Sequence, residues 1–198
     1  ELLDKYKYKY KEYRRLWSDQ PKECINKGLY GQDMFDQGYI PLCIDVETAA
    51  ICDLACPFCY REFLATPDKI ISRDLFYKIV DQAADIGVPS MKLNWRGEPL
   101  MNSKLPEMID YAKSKGILEV IINTNATHLS EKMGRKLIDA GLDFMIYSFD
   151  GGTKETYEKM RPGRFIKNSF EDVYSNIVKF SEIREQMGAK FPYTKIQM

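Results

Sequence analysis

Three cysteines in the segment 50–60 have the type and the spacing to hold an iron–sulfur cluster. Cys52, Cys56 and Cys59 follow a C-x3-C-x2-C pattern within the sequence AICDLACPFCY. Three thiolates can bind three irons of a [4Fe–4S] cube and leave the fourth iron open, whereas ordinary ferredoxin cubes take four cysteines. An open iron can bind a substrate or a cofactor, so the spacing indicates a catalytic cluster rather than an electron-transfer centre.

A zinc site is the alternative for the same three cysteines. Structural zinc sites prefer four ligands, usually a C-x2-C or C-x4-C pair that is followed by a distant second pair. No fourth cysteine is paired with the three, and the only histidine, His128, is far away in sequence. The remaining cysteines, Cys24 and Cys43, are predicted to be plain core or surface thiols. The pattern therefore favours the iron–sulfur interpretation.

A repeated strand–helix pattern must position the cysteine loop. Short apolar segments alternate with amphipathic segments, and most of the amphipathic segments begin at a serine and end at a glycine. The predicted strands are 41–48, 90–94, 118–124, 144–148 and 193–198. The predicted helices lie at about 72–87, 130–141 and 169–187, and a further helix carries Met108, Ile109 and Ala112 and ends at Gly116. Such an alternation is typical of a parallel sheet covered by helices.

Polar clusters follow the predicted strands one after another. The cysteine loop follows the first strand, and the segments 95–100, 123–125 and 148–152 follow the next three. Parallel α/β folds place their active sites at the carboxyl ends of the strands. The four clusters therefore predict an active site at one rim of the sheet.

With these motifs the chain resembles the radical SAM superfamily from about Pro41 to its C-terminus. The cysteine spacing carries the resemblance, and the segment 97–99 (GEP) matches the end of the family's GGEP motif. The resemblance implies an α/β fold, a partial (β/α)6 TIM-like barrel. Only five strands are counted, so an apparently truncated C-terminus and a further strand and helix are expected. Residues 1–40 are then an N-terminal extension and 41–198 the core barrel.

Three residues, one in the cysteine loop and two after the second strand, match family contacts to S-adenosylmethionine (SAM). Phe58 matches the aromatic that lies against the adenine, and Gly97 and Glu98 match the residues that bind the amino group. Glycine permits close approach of the backbone, and a carboxylate suits an ammonium. Alternatively, Glu98 is a helix-capping carboxylate. Arg96 departs from the motif, because the family has glycine there, so its side chain must point away from SAM or make a new contact.

Three later residues complete the implied SAM site. Ser148 matches the polar residue that contacts the ribose or methionine part, and Thr124 is a weaker match on the third strand. Arg161 resembles the arginine that pairs with the SAM carboxylate in relatives with a SPASM or twitch domain, and a planar guanidinium suits that role. The alternatives are a plain turn at 148–151 and a surface arginine at 161.

The resemblance also implies a reaction. A reduced cluster would inject one electron into SAM, the C5′–S bond would break, and a 5′-deoxyadenosyl radical would abstract a hydrogen from the substrate. A flavodoxin or ferredoxin is the expected electron donor. The substrate remains open between a small molecule or sugar and a peptide, the latter as in SPASM-type maturases. A non-catalytic Fe–S electron-transfer module is a third hypothesis.

Composition argues against several other classes of function. The 198 residues carry a formal net charge of zero, so no bulk electrostatic attraction to nucleic acid or to an anionic membrane is expected. No apolar run reaches transmembrane length, no signal peptide opens the chain, and the cysteines do not spread as a disulfide framework would. A cytoplasmic location is expected. The basic, tyrosine-rich segment 5–15 is predicted to lie on the domain rather than to bind nucleic acid or lipid.

Overall fold

A computed structural model describes residues 2–64 and 67–198, with side chains from residue 7 onward. Five strands form one sheet in the order β1 (Ile44–Asp45), β2 (Ser90–Lys92), β3 (Glu119–Thr124), β4 (Phe144–Ser148) and β5 (Tyr193–Gln197). Every neighbouring pair is parallel. The helices are α1 (Leu2–Lys27), α2 (Gln32–Asp36), α3 (Arg73–Asp85), α4 (Leu105–Ser114), α5 (Glu131–Asp139), α6 (Lys154–Met160) and α7 (Phe170–Gln186). The predicted α/β class with a parallel sheet is confirmed.

The helix boundaries follow from capping residues. Ser72, Ser130 and Ser169 are the N-caps of α3, α5 and α7, and each side chain accepts a hydrogen bond from a backbone N–H three residues later. Helix α3 ends just before Gly87, whose φ of +84° suits a glycine best. The boundaries predicted for these helices are therefore confirmed to within about two residues.

Three features of the fold differ from the sequence pattern or were missed by it. The strand predicted over 41–48 is reduced to Ile44–Asp45, because β1 lies at the edge of the sheet and pairs only with the three-residue β2. Helix α6 was not predicted, although Thr153 caps it and its Tyr157 is fully buried. The third feature is the pair of helices α1 and α2, since no secondary structure was predicted for residues 1–40.

The core lies between the sheet and its covering helices. Its fully buried side chains come from every layer and include Phe76, Val80, Met91, Leu93, Leu105, Ile109, Val120, Ile122, Leu137, Leu142 and Met145. Strand β5 differs from the other strands because all five of its residues are exposed. Of the strands whose carboxyl ends carry the polar clusters, β2, β3 and β4 have only buried and half-buried residues, whereas the edge strand β1 is half-buried to exposed.

Helix α1 lies against the amino end of the sheet. Tyr13 is buried and its hydroxyl donates to Glu119 at 2.8 Å, while Tyr10 donates to the same carboxylate at 3.1 Å. The lysines at 7, 9 and 11 are exposed. This packing agrees with the prediction for the segment 5–15, apart from the side chains of residues 5 and 6, which lie outside the described part. Among the described residues, no helix is both long and apolar enough to cross a membrane.

Candidate functional site

The cysteine loop follows β1 and lies at the carboxyl end of the sheet. Cys56 is buried, Cys52 and Cys59 are half-buried, and the Cys59 N–H donates to the Cys56 carbonyl at 2.9 Å. Burial raises the pKa of the Cys52 thiol to about 12 and also raises that of Cys56. Bound iron would reverse this preference, since a metal ion deprotonates the thiols that coordinate it.

Backbone hydrogen bonds fasten this loop to the segment after α6. The Ala55 N–H donates to the Pro162 carbonyl at 2.8 Å, and the Arg164 N–H donates to the Asp53 carbonyl at 2.7 Å. Arg61, just after the third cysteine, is buried, donates to Ala50 O at 2.9 Å and pairs with Asp68. Contacts within the chain therefore hold the path of the loop. The cysteine spacing could not have indicated these contacts.

Gly97 packs directly on the cysteine loop. A Cβ at this position would lie 2.0 Å from the Ala49 carbonyl oxygen and 2.6 Å from that of Ile51. The next residue, Glu98, donates its N–H to Ile51 O at 2.9 Å. The glycine is thus required for the approach of the loop backbone, in addition to the ligand contact predicted for it. That ligand contact stays a prediction.

Glu98 is a buried carboxylate that joins the ends of β2 and β3. It accepts hydrogen bonds from the Thr124 hydroxyl at 2.6 Å, the Asn125 N–H at 2.8 Å and the Leu100 N–H at 2.9 Å. Burial raises the pKa of Glu98 to about 7, and the three donors oppose this rise. The alternative prediction, that Glu98 is a capping carboxylate, also holds, because its side chain caps the short 3-10 turn Pro99–Met101. The contacts of Glu98 and Thr124 with SAM stay predictions.

Arg96 pairs with Glu47 instead of leaving its side chain free. Its Nε donates to Glu47 Oε1 at 2.9 Å, a terminal nitrogen donates to Oε2 at 2.6 Å, and its backbone N–H also reaches Oε1 at 3.0 Å. This bidentate pair holds the end of β1 to the end of β2. Arg96, which stands where the family motif has glycine, therefore has an ion-pair partner within the chain.

Arg161 connects the turn after β4 with the cysteine loop. Its guanidinium is buried, forms an ion pair with Asp150, lies 3.9 Å from Cys56 Sγ and sits 5.8 Å from the centre of the Phe58 ring. Asp150 has a φ of +49°, so the turn after β4 is bent to present this carboxylate. The alternative of a surface arginine is wrong, because only 8% of Arg161 is exposed.

Two buried polar atoms at this rim have no hydrogen-bond partner. Among the described residues they are Arg161 Nε and Asn123 Oδ1. Buried polar atoms in native proteins are nearly always paired, so an unpaired one near a cleft suits a ligand. A cleft of about 400 Å³ is lined by Phe58, Asp150, Gly151, Gly152, Met160 and Met198, and the first two of these contact Arg161. Ser148 ends β4 next to this turn and is half-buried, and its contact with SAM stays a prediction.

Two functional candidates were missed in the sequence. The Asp53 carboxylate accepts from Asn125 Nδ2 at 2.9 Å and from the Thr127 hydroxyl at 2.7 Å, and so ties the cysteine loop to the end of β3. The polar segment 123–125 was noticed, but no role was predicted for Asn125. For Asp53 the sequence held no signal besides its place between two cysteines.

The donor set fits a cluster better than a single ion. In the described part of the chain, no three His, Cys, Asp or Glu side chains are grouped as ligands of one metal ion, as zinc would need. A [4Fe–4S] cube takes each thiolate on a different iron, so its ligands need not converge on one point. Three thiols on one anchored loop and a buried cation at Cys56 are compatible with this group.

A family comparison agrees with this geometry. The sequence profile described as the Radical SAM superfamily matches residues 46–184. The chain belongs to the radical SAM superfamily. The cofactors of these enzymes are a [4Fe–4S] cluster and SAM, as predicted. The likeness to SPASM or twitch members and the division at residue 40 stay predictions.

Curated relatives of this radical SAM chain include two from archaea. A probable GTP 3',8-cyclase of Methanococcus maripaludis is 35% identical over 133 residues, which cover 67% of this chain and 43% of the relative. An Fe-coproporphyrin III synthase of Methanosarcina barkeri is 30% identical over 145 residues, which cover 73% of this chain and 35% of the relative. The chain spans less than half the length of these relatives.

Solved structures support the fold. The native anSMEcpe structure with bound AdoMet has a TM-score of 0.64 at 17% identity, and the match covers 79% of this chain and 43% of that chain. BtrN in complex with AdoMet and 2-DOIA has a TM-score of 0.58 at 17% identity, with coverage of 80% and 58%. At these identities the likeness concerns the fold alone. It confirms the predicted partial TIM-like barrel, of which this chain contributes an open five-stranded sheet.

Proposed function

We propose that this chain is the SAM-cleaving core of a radical SAM enzyme that acts on a small organic molecule. The observation that carries the proposal is the buried Arg161 guanidinium, which faces both Cys56 and Phe58 while its Nε has no partner. A cation in that position suits a carboxylate ligand next to a cluster held by the neighbouring cysteine.

Different residues of the rim would hold the cluster and SAM. Cys52, Cys56 and Cys59 would hold the [4Fe–4S] cluster, which together with SAM supplies a 5′-deoxyadenosyl radical when an electron arrives. Asp150 fixes Arg161 for the SAM carboxylate.

Other rim residues would hold the rest of SAM. Glu98 offers a carboxylate to the ammonium, and Phe58, half exposed at the cleft, offers a ring face to the adenine. Ser148 and Thr124 would complete the contacts at the ends of β4 and β3.

A small-molecule substrate is supported by the relatives at 30% identity or more. Their names refer to GTP and to Fe-coproporphyrin III, both small organic molecules. Among the solved structures, a Streptococcus suis SuiB bound to the precursor peptide SuiA shares 17% identity, which supports only the fold. We therefore favour a small molecule over a peptide. The electron donor would be a flavodoxin or a ferredoxin, and no nucleic acid or membrane partner is proposed.

SAM cleavage tests the first part of this proposal. The full-length protein is reconstituted with iron and sulfide without oxygen, reduced with dithionite, mixed with SAM, and assayed for 5′-deoxyadenosine by mass spectrometry. Wild type and the control Cys43→Ala should form it, because Cys43 lies outside the motif at the other end of β1. Cys56→Ala should not. A wild type that holds the cluster but never cleaves SAM would favour the electron-transfer module.

Deuterium transfer tests the substrate class. Extract from cells grown in heavy water is separated into a fraction below about 1 kDa and a peptide fraction, and each is added to the reaction. Deuterium in 5′-deoxyadenosine from the small-molecule fraction alone supports the proposal. Deuterium from the peptide fraction alone would support a peptide maturase instead.

A further inference from the structure

Asn125 holds one fixed orientation at the carboxyl end of β3. It is 5% exposed, and its backbone N–H donates to Glu98. Its Oδ1 accepts from the Thr127 N–H at 3.0 Å, while its Nδ2 donates to Asp53 Oδ1 at 2.9 Å. A flipped amide would place NH2 against an N–H and oxygen against a carboxylate, so these partners exclude the flip.

In this orientation the amide of Asn125 also faces a cysteine. Its Nδ2 lies 3.9 Å from Cys52 Sγ, at the long end of the range for a sulfur acceptor. Asp53, the residue after Cys52, anchors the amide and is itself held by the Thr127 hydroxyl at 2.7 Å. His128 Nε2 lies 3.6 Å from the same carboxylate. The donor and its acceptor are therefore positioned by the loop that carries the thiol.

A second cysteine, Cys56, also faces an anchored nitrogen donor. Arg161 points a terminal nitrogen at Cys56 Sγ at 3.9 Å and is anchored by the Asp150 carboxylate. In both cases a partly buried carboxylate, Asp53 or Asp150, fixes a nitrogen donor, and the donor faces a sulfur from a different strand end. The repetition argues that the Asn125 contact is part of the cluster site rather than a packing accident.

A donor at a ligand sulfur changes the electronic properties of an iron–sulfur cluster. Reduction adds negative charge, part of which lies on the sulfurs, so an N–H donor stabilises the reduced state more than the oxidised state. Hydrogen bonds to sulfur are among the features that set cluster reduction potentials, and residues behind the ligands orient them.

We propose that Asn125 is a positioning residue that donates to Cys52 and raises the reduction potential of the cluster. This inference rests on the proposed function, because it concerns the cluster that the three cysteines would hold. Asp53 acts through Asn125, by keeping the NH2 group turned toward the sulfur.

Asn125→Ala is compared with Asn176→Ala as a matched control. Asn176 Nδ2 donates to the carbonyls of Ala126 at 3.0 Å and Thr127 at 3.3 Å, so it supports the same loop without facing a sulfur. Iron and sulfide content and the reduction potential are measured on the full-length protein, the latter by redox titration followed by electron paramagnetic resonance. Asn125→Ala should lower the potential at retained iron content, and Asn176→Ala should leave the potential unchanged.

A side-chain exchange separates the sulfur donor from the anchoring of the loop. In the double variant Asp53→Asn with Asn125→Asp, an amide and a carboxylate still face each other, so the link between loop and strand is kept. The group facing Cys52 becomes an acceptor instead of a donor. The exchange should therefore keep the cluster but lower its potential at least as far as Asn125→Ala does.

Three results would overturn the inference. They are equal potentials in wild type and Asn125→Ala, an equal shift in Asn176→Ala, or a wild-type potential in the exchange variant. If the variants show the predicted shifts yet wild type never cleaves SAM, the inference holds and the proposed function fails. A wild type that assembles no cluster would overturn both.

Discussion

The two ends of the sheet bury carboxylates in different ways. At the amino ends of the strands, Asp143 accepts from Lys113 Nζ at 2.7 Å, and Glu119 accepts from the Tyr13 hydroxyl at 2.8 Å. At the carboxyl ends, Glu98 meets only neutral donors, and the buried Arg161 keeps an unpaired Nε beside its ion pair. Chain groups pair with both carboxylates at the amino end, whereas at the carboxyl end one buried guanidinium nitrogen has no partner among the described residues.

This difference assigns stability to one end and chemistry to the other. Barrel folds of this kind keep their catalytic groups at the carboxyl ends, and the opposite face serves stability. Burial raises the pKa of Asp143, but the adjacent Lys113 cation opposes the rise. At Glu98 no cation opposes it, and the pKa reaches about 7. Substitutions at the two ends should therefore affect different measurements.

The largest effect is expected at the carboxyl end for Gly97→Ala. The new Cβ would meet backbone oxygens of the cysteine loop at 2.0 and 2.6 Å, so the backbone itself must move. We expect a destabilisation of more than about 3 kcal/mol and loss of most of the bound iron, because the obstacle is not a flexible side chain. Denaturant unfolding and iron analysis measure both.

Gly152→Ala is the matched control at the same rim, since nothing lies within 4 Å of its added Cβ. It should change neither measurement. Wild-type iron content in Gly97→Ala would show that the loop adapts, and that the glycine is not what fixes the cysteines.

At the amino end, Lys113→Met should cost about 3 kcal/mol of unfolding free energy, because it leaves Asp143 buried without its cation. Both side chains are largely buried, with 14% and 10% exposed. The iron content of the folded variant should stay at the wild-type level. Lys115→Met, which removes the exposed pair with Asp81, is the control and should have a much smaller effect. Loss of iron in Lys113→Met at retained fold would erase the distinction between the two ends.

The pH dependence of the stability of the apo protein tests the raised pKa of Glu98. Its pKa in the folded chain, about 7, lies above the ordinary value of 4.5, so folding favours the protonated carboxyl. The stability contributed by this proton is complete below about pH 4.5 and is lost as pH rises through about 7, a change of about 3 kcal/mol at most. Glu98→Gln should lack this part of the pH dependence. Urea unfolding at pH 5 and pH 8 gives the difference, and parallel curves for both proteins would contradict the prediction.

The smallest effect is expected for Arg96→Gly, which restores the glycine of the family motif. It removes a partly buried pair with Glu47, whose two side chains are 29% and 19% exposed, and adds backbone freedom, so we expect a loss of about 1 kcal/mol. SAM cleavage should be retained, because Arg96 is occupied by Glu47. A fall in SAM cleavage beyond that of Glu47→Gln would instead show that Arg96 contacts SAM or the substrate.

Local signals predicted most elements of the barrel. Strand β4 has the predicted bounds, Phe144–Ser148, and the serine caps of α3, α5 and α7 lie where the sequence placed them. These features depend on neighbouring residues only. The eight-residue first strand was wrong, because its length depends on how much of β2 lies beside it. Helix α6 was missed, since seven residues after a glycine-containing turn carry little periodicity.

The sequence by itself determined the three-cysteine motif, the alternation of most strands and helices, and the rim at which the polar clusters gather. Tertiary structure alone decided the partners within that rim. Asn125 reaches Cys52 across 73 positions of sequence, Arg161 reaches Cys56 across 105, and Arg96 meets Glu47 across 49. Spacing along one strand or helix contains no information about such pairs, because hydrogen bonds and ion pairs are short-ranged and form only after parallel strands bring their ends together.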